Sequence, residues 1–447
     1  AGDGALAQRL EAHVFAAHGG VTGKAYKAKC RALASMLRAP RARWWPRRGR
    51  RAGPDTVAGG ATRWDAGRGA VRARLPALGA EAYLNTGGAG PLPDLACEAM
   101  QAVMQQQLAR GRMSAAGVDA ARERQAGLRA AVGGVLGRPG AEVAIMQSST
   151  HAMNAVIWGV GLAAGDEVVT TGMEHPGLAV PLRAAAEAAG ARVVVADVGD
   201  GSVDLEAVMG AACTERTRLM ALSHVSWITG AVLDVAGAAR AAGAVGALTL
   251  VDGAQAAGAV RADPVAWGVD AYAMPAQKWL LGPEGLGALW VRPGRLGEIA
   301  PTVTGYESGE DHGWDGSLAL HPDCRRLEAS TFPEILIAGW SASLGWLEGI
   351  GWERIARDTA RAARACREAL DRVEGVHLDS PLASEAGLVA FSVPGRDPEE
   401  VATALAQRGV IVRPLPAPGA LRASCGFFTN AGDIDRLAEA LAGLTAC

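Results

Sequence analysis

Leu248-Thr249-Leu250-Val251-Asp252-Gly253-Ala254-Gln255 is an apolar run that ends in an acid and is then broken by a glycine. Leu248 to Asp252 suits a strand covered by helices on both faces, because nothing before the acid alternates with polar residues. Toward the N-terminus the pattern gives a helix over Val235–Ala242 and strands over Arg218–Leu222 and Arg192–Ala196. A helix over Leu178–Ala189, closed by Gly190, and a strand over Glu167–Thr171, opened by Gly165-Asp166, precede these. In the other direction, Ala271–Met274 and Gly287–Val291 read as further buried strands. Strands alternating with helices predict an α/β domain built on a mostly parallel sheet.

The pattern changes after Pro293. A loop rich in glycine and charge spans Gly305–Asp323, and a long apolar helix spans Glu334–Ile350. An amphipathic helix follows over Trp352–Val373. Strand (Gly387–Val393), helix (Pro398–Arg408), strand (Val410–Pro414), strand (Leu421–Phe428) and helix (Ala431–Leu441) then form a smaller α+β unit. The predicted organisation is a leader over 1–80, a large domain over 81–300, and a loop, connecting helix and small C-terminal domain over 301–447.

The leader is a different kind of sequence. Of the 447 residues, the first eighty hold 16 Lys and Arg against 4 acids, while the rest hold 28 basic against 42 acidic residues. Arg-rich, acid-poor composition fits a transit peptide, with a plastid or mitochondrial address, or a disordered arm; otherwise the cytoplasm is the default. Its tryptophans, Trp44, Trp45 and Trp64, belong to no nucleic-acid-binding motif, which argues against that partner. The longest uncharged apolar stretch, Ile335–Leu347, is 13 residues, short of the ~20 a membrane span needs. Seven scattered cysteines without C-x-x-C spacing predict reduced thiols and no metal site.

Three features could carry chemistry. Asp252 stands at the C-terminal end of an apolar strand, where open α/β sheets bind ligands, although such an acid also caps helices. Lys278, in Ala276-Gln277-Lys278-Trp279-Leu280-Leu281-Gly282, sits among apolar residues in a turn after a strand. Burial there lowers a lysine pKa and makes the amine nucleophilic, whereas a surface lysine would do nothing. Gln147-Ser148-Ser149-Thr150-His151 precedes a helical pattern and offers hydroxyls for an anion or for simple capping. Pyridoxal 5'-phosphate accounts for all three, since it needs a Schiff-base lysine, an acid at its ring nitrogen and donors for its phosphate.

The blocks Tyr83-Leu84-Asn85-Thr86, Ser149-Thr150, Gly172-Met173-Glu174-His175-Pro176-Gly177, Ser223-His224-Val225-Ser226-Trp227, Asp252-Gly253-Ala254-Gln255, Gln277-Lys278-Trp279, Arg326-Leu327-Glu328-Ala329-Ser330-Thr331 and Arg422-Ala423-Ser424 occur in order. Together they resemble the class V aminotransferase group of fold-type I pyridoxal phosphate enzymes over residues 83–441. The resemblance implies a fold-type I transferase fold and a homodimer with shared active sites. Lys278 would form the Schiff base and move the substrate proton, Asp252 would pair with the ring nitrogen, and Gln255 would reach the ring hydroxyl. His175 would stack on the ring, the lesser alternative being a histidine at the start of a helix before Pro176. Ser149 and Thr150 would hold the phosphate, and Thr331 would reach the phosphate of the partner subunit's cofactor. Arg422 would fork onto the substrate carboxylate, with Trp227 in the side-chain pocket.

Departures narrow the subgroup. Desulfurases carry a persulfide-forming cysteine before the carboxylate-binding arginine, but Pro414-Leu415-Pro416-Ala417-Pro418-Gly419-Ala420-Leu421 has none. Trp227 and Gln277 replace residues typical of that group, and Pro275 stands where a phosphate-contacting hydroxyl is common. The blocks are more similar to the cysteine/cystine C–S lyase and isopenicillin-N epimerase-like branch. The expected activity is a C–S β-lyase giving pyruvate, ammonia and a sulfur product. A transaminase, an epimerase, a cysteine desulfurase and a non-catalytic scaffold are the alternatives, and retention of Lys278, Asp252, Gln255, His175 and Arg422 speaks against the last.

Overall fold

A computed structural model describes residues 68–381, 383–416 and 419–445. The Arg-rich part of the leader, with Trp44, Trp45 and Trp64, lies outside the described residues. Residues 68–80, also assigned to the leader, are folded: helix α1 (Arg68–Arg72) and a 3-10 turn over Pro76–Gly79 bury Leu75 and Leu78 against Phe427 and Phe428. Arg72 ties this segment down by an ion pair to Asp433 at 2.6 Å.

Strand β1 (Ala82–Tyr83) is followed by two helices, α2 (Asp94–Arg110) and α3 (Ala115–Val135). Strand β2 (Val143–Met146) then opens the main sheet, and α4 (Ser149–Gly159) follows it. The alternation continues through β3 (Glu167–Thr171), α5 (Pro176–Ala189), β4 (Arg192–Ala196), α6 (Leu205–Ala212), β5 (Thr217–Ser223), α7 (Val235–Ala244), β6 (Leu248–Asp252), β7 (Ala271–Pro275) and β8 (Gly287–Val291). These strands form one seven-stranded sheet in the order β2-β8-β7-β6-β5-β3-β4. Only β8 runs against the others. The mostly parallel α/β architecture expected from the sequence is therefore the one found. Every residue of β6, β7 and β8 is buried, as helices on both faces require. Side-chain caps start the crossover helices: Asp204 accepts from the Ala207 N–H, and Asp234 from the Gly237 N–H.

The glycine- and charge-rich segment after the sheet is partly ordered, as a hairpin of β9 (Gly309–His312) and β10 (Leu318–Leu320). Helices α8 (Glu334–Ile350) and α9 (Trp352–Leu370) lead to β11 (His377–Leu378), β12 (Leu388–Ser392), α10 (Pro398–Ala406), β13 (Val410–Ile411), β14 (Arg413–Pro414), β15 (Leu421–Ser424) and α11 (Ala431–Thr445). The single strand read over Val410–Pro414 divides at Val412. Its first half pairs with β1 in parallel, and its second half pairs with β15 in a four-stranded antiparallel sheet. The strand read over Leu421–Phe428 stops at Ser424, because Gly426 and Thr429 close a turn there. Ala82 and Leu84, read as the start of the large domain, pack in the C-terminal core with Phe391, Val410 and Leu437. Among the described residues, no helix is long and apolar enough to cross a membrane.

Candidate active site

The carboxyl ends of β3, β5 and β6 lie side by side, and the turn after β7 faces them. His175, Ser223, Val225, Trp227, Asp252, Ala254, Gln255 and Lys278 line one small cleft there. The structure thus brings together five side chains singled out in the sequence: Lys278, Asp252, Gln255, His175 and Trp227. Ser223, Val225 and Ala254 join them without having been assigned a role.

Asp252 ends β6 and is 4% exposed. Its Oδ1 accepts the Ala254 N–H at 2.8 Å, which leaves Oδ2 for another donor. The Gly253 Cα approaches the Tyr272 ring so closely that a Cβ would meet it at 2.1 Å, so only glycine lets the chain turn here. Burial raises the Asp252 pKa, opposed by the charge of Lys278 and the Ala254 bond.

Lys278 follows β7 in a turn held at both ends. Leu281, at φ 51°, is the only non-glycine among the described residues with positive φ, a conformation that costs about 1–3 kcal/mol. The Leu281 carbonyl accepts the Ser343 hydroxyl of α8 at 2.8 Å, and the Gly282 N–H returns to the Ala276 carbonyl. From the other side the Gly90 N–H donates to the Gln277 carbonyl at 2.7 Å, and a Cβ on Gly90 would meet the Lys278 carbonyl at 2.2 Å. Burial lowers the Lys278 pKa to about 8, with Asp252 opposing the shift and Arg422 and Arg413 adding to it.

Gln255 has a fixed orientation. The Trp279 indole N–H can only donate, so it meets Oε1 at 3.0 Å and leaves Nε2 to donate to the Gly87 carbonyl at 2.9 Å. His175 is the N-cap of α5, its Nδ1 accepting the Gly177 N–H at 2.9 Å, so the helix-start role is real and coexists with a place in the cleft. Its ring meets Trp227 edge-on at 4.9 Å. Burial, then Lys278, Arg422 and Arg413, lowers its pKa to about 4, so it is neutral at physiological pH.

Arg422 lies on β15 and is 1% exposed. Its Nη1 donates to the Trp227 carbonyl at 2.8 Å, while its Nε has no partner. No carboxylate of the described residues pairs with it. Burial and the charge of Arg413, its cross-strand neighbour, lower its pKa to about 9.

The expected phosphate residues stand at the start of α4, where Ser148 is the N-cap and accepts the His151 N–H at 3.0 Å. The Thr150 hydroxyl lies against Gly177, two residues beyond His175. Thr331 is not in the cleft. It is exposed, and its hydroxyl bonds to that of Tyr306. Among the described residues, no cluster of His, Cys, Asp or Glu could hold a metal ion.

These donors fit pyridoxal phosphate: a buried carboxylate with a spare oxygen, an amine of lowered pKa, an oriented amide and a helix start with free hydroxyls. The sequence profile described as aminotransferase class-V matches residues 82–437. A probable cysteine desulfurase of Xylella fastidiosa is 33% identical over 330 residues, covering 70% of this chain and 78% of that one. The isopenicillin N epimerase of Streptomyces clavuligerus is 32% identical over 389 residues, covering 81% and 94%. Among solved structures, the cystine C–S lyase C-DES in complex with cysteine persulfide superposes with a TM-score of 0.79 at 29% identity, covering 82% of this chain and 99% of that one. A C-DES variant with glycine linked to its pyridoxal phosphate gives 0.80 at 29% identity, covering 83% and 98%. The chain belongs to the class-V aminotransferase family and is a pyridoxal-phosphate-dependent enzyme.

Proposed function

We propose that the enzyme is a C–S β-lyase acting on cysteine- or cystine-type amino acids, with Arg422 as the carboxylate receptor. One observation carries this reading: Arg422 is a buried guanidinium with an unpartnered Nε and no carboxylate partner among the described residues. A substrate carboxylate would supply that charge through two parallel hydrogen bonds. The similarity to a cystine C–S lyase supports the substrate class. Of the five described cysteines, none lines the cleft. Cys324, Cys366 and Cys425 are buried, Cys213 is half-buried and Cys97 is exposed on α2. Among the described residues, no persulfide-forming thiol stands beside Lys278, which disfavours the desulfurase alternative.

Lys278 would hold the cofactor, with Asp252 at the ring nitrogen, Gln255 at the ring hydroxyl, His175 over the ring face, and Ser149 and Thr150 at the phosphate. The cofactor supplies an electron sink conjugated to the substrate Cα. Asp252, with its spare oxygen, would pair with the ring nitrogen and keep it protonated. Arg422 fixes the carboxylate, and with it the direction of the Cα–H bond. Once the substrate amine has displaced it, the Lys278 amine, neutral in appreciable fraction because burial lowers its pKa to about 8, would take the Cα proton. The Cβ–S bond then breaks, the electron pair left on Cα becomes the new C=C bond, and sulfur departs with its own pair and is protonated. Hydrolysis of the unsaturated product gives pyruvate and ammonia.

Thr331 and Tyr306 border a groove of about 1170 Å3 that also takes in Arg112, Met113 and Arg129. Arg110 of α2 and Met113 in the turn after it are exposed and line this groove, Met113 at 85% exposure. A second copy covering this face would bury them and bring Thr331 to the partner subunit's site, as a homodimer with shared sites requires. The activity is tested by incubating the cofactor-loaded enzyme with cystine or cysteine and following pyruvate, ammonia and sulfur products. Stoichiometric pyruvate is expected, and amino transfer that depends on a keto acid, without pyruvate release, overturns the reading.

A further inference from the structure

Glu174 is a buried carboxyl that the chemistry above does not use. It follows β3 in the turn that delivers His175, and is 9% exposed. Its Oε1 accepts the Thr171 hydroxyl at 2.6 Å, and its Oε2 meets the Ser223 hydroxyl at 2.5 Å. The Thr171 hydroxyl is occupied on its other side by the Met173 N–H. Ser223 differs, because it lines the cleft beside Asp252. Ser223 and Asp252 are register partners on the parallel strands β5 and β6. Their side chains therefore leave the sheet on the same side, about 4.8 Å apart by strand spacing.

A hydroxyl has one hydrogen to give. When Glu174 is ionised, the Ser223 hydrogen is held by Glu174. When Glu174 carries a proton, it donates that proton in its bond to Ser223 Oγ, and the Ser223 hydrogen is released to turn toward Asp252. We propose that Glu174 is a positioning residue for Asp252, its proton deciding through Ser223 whether the carboxylate at the cofactor's ring nitrogen receives an additional hydrogen bond.

Burial lifts the Glu174 pKa to about 7 against the bonds from Ser223 and Thr171, and the charge of Asp252 adds to the rise. The groups facing this cluster are Asp252 at the end of β6, neutral His175 at the start of α5, Lys278 in the turn after β7, Tyr272 beneath Asp252, and the guanidiniums of Arg422 and Arg413 across the cleft. None of them bonds to Glu174. Its bonded link to the cleft runs through Ser223, beside the direct charge effect of Asp252, and the inference rests on Asp252 facing the ring nitrogen.

The test is a pH titration of the visible absorbance of the enzyme loaded with pyridoxal phosphate, with the cofactor dissociation constant measured at pH 6 and pH 8. The wild-type protein is expected to show a spectral step in the neutral range that Glu174→Gln removes, because the amide donates permanently to Ser223 Oγ. Glu174→Asp keeps the step with a displaced midpoint. Ser223→Ala also removes it while Glu174 remains, which separates relay through the hydroxyl from direct charge action. Thermal melting of each cofactor-free variant checks folding, and Ser223→Ala carries the test if Glu174→Gln does not fold. A step that survives both Glu174→Gln and Ser223→Ala overturns the inference. Asp252→Asn distinguishes the two levels: if it leaves the spectrum unchanged, the assignment of Asp252 fails and Glu174 falls with it. A changed spectrum in Asp252→Asn beside an intact step in Glu174→Gln removes Glu174 alone.

Discussion

The two ends of the main sheet handle buried charge in opposite ways. At the amino end, Glu167 opens β3 and accepts from Arg192 at 2.6 Å, Arg216 at 2.7 Å and the Thr214 hydroxyl at 2.8 Å. Those bonds hold its pKa down to about 2. Both oxygens of this buried carboxylate are bonded by residues of this chain. At the carboxyl end, Asp252 has a spare oxygen, Lys278 has no bonded partner, and Arg422 has an unpartnered Nε. The same acids and bases appear at both ends. What separates structure from chemistry is whether the bonds close within the chain.

The sharpest way to break this comparison is at Lys278. Lys278→Ala is expected to lower turnover of cystine by about 10²–10⁴ through loss of the proton-transfer group alone, and by more through loss of the cofactor's attachment. Pyruvate release at saturating substrate measures it. Next is Arg422→Ala. A charge-assisted hydrogen bond contributes about 1.5–3 kcal/mol, so KM should rise by roughly ten- to a hundredfold, with a smaller change in kcat. Because no carboxylate of the described residues pairs with Arg422, Arg422→Met should cost no more in melting temperature than the loss of its bond to the Trp227 carbonyl. A large fall there would mean the guanidinium serves the fold.

A third expectation concerns pH. The Lys278 amine must be neutral to take a proton, so kcat should rise with pH and level off above about 8; a rate profile falling from pH 7 to 8.5 contradicts the assignment. The smallest effect on activity belongs to the closed end. Glu167→Gln should leave kcat/KM unchanged while lowering the melting temperature at neutral pH. The folded Glu167 pKa lies below its ordinary value, so its stabilisation is present above about pH 4.5 and lost as pH falls toward 2. The difference in melting temperature between wild type and variant should shrink across that window.

The sheet was legible because its signal is local. Leu248–Asp252 and Gly287–Val291 are strands with the boundaries read from their apolar runs. Helices α2 and α3 were not read at all. The α2 segment is rich in glutamine and buries only Ala96 and Val103, so it shows no apolar stripe. The division of Val410–Pro414 depends on two different partners, β1 and β15, that periodicity does not encode. In the cleft, Lys278 and Asp252 stood out by residue type in an apolar setting. The Trp279 bond that orients Gln255 and the Ser223 bond to Glu174 span long stretches of chain and require the fold to be known. His175 shows that capping and a place in the cleft are not exclusive readings.

The contact between Gly90 and the lysine turn bears on how the protein ages in the presence of a protease. A cut anywhere in the segment from Tyr83 to Gly90 would leave every strand of the main sheet in place. It would nevertheless loosen the latch on Gln277, while the Ser343 and Ala276 bonds still held the Leu281 end of the turn. Such a nicked protein would keep its sheet while one side of the lysine turn lost its support.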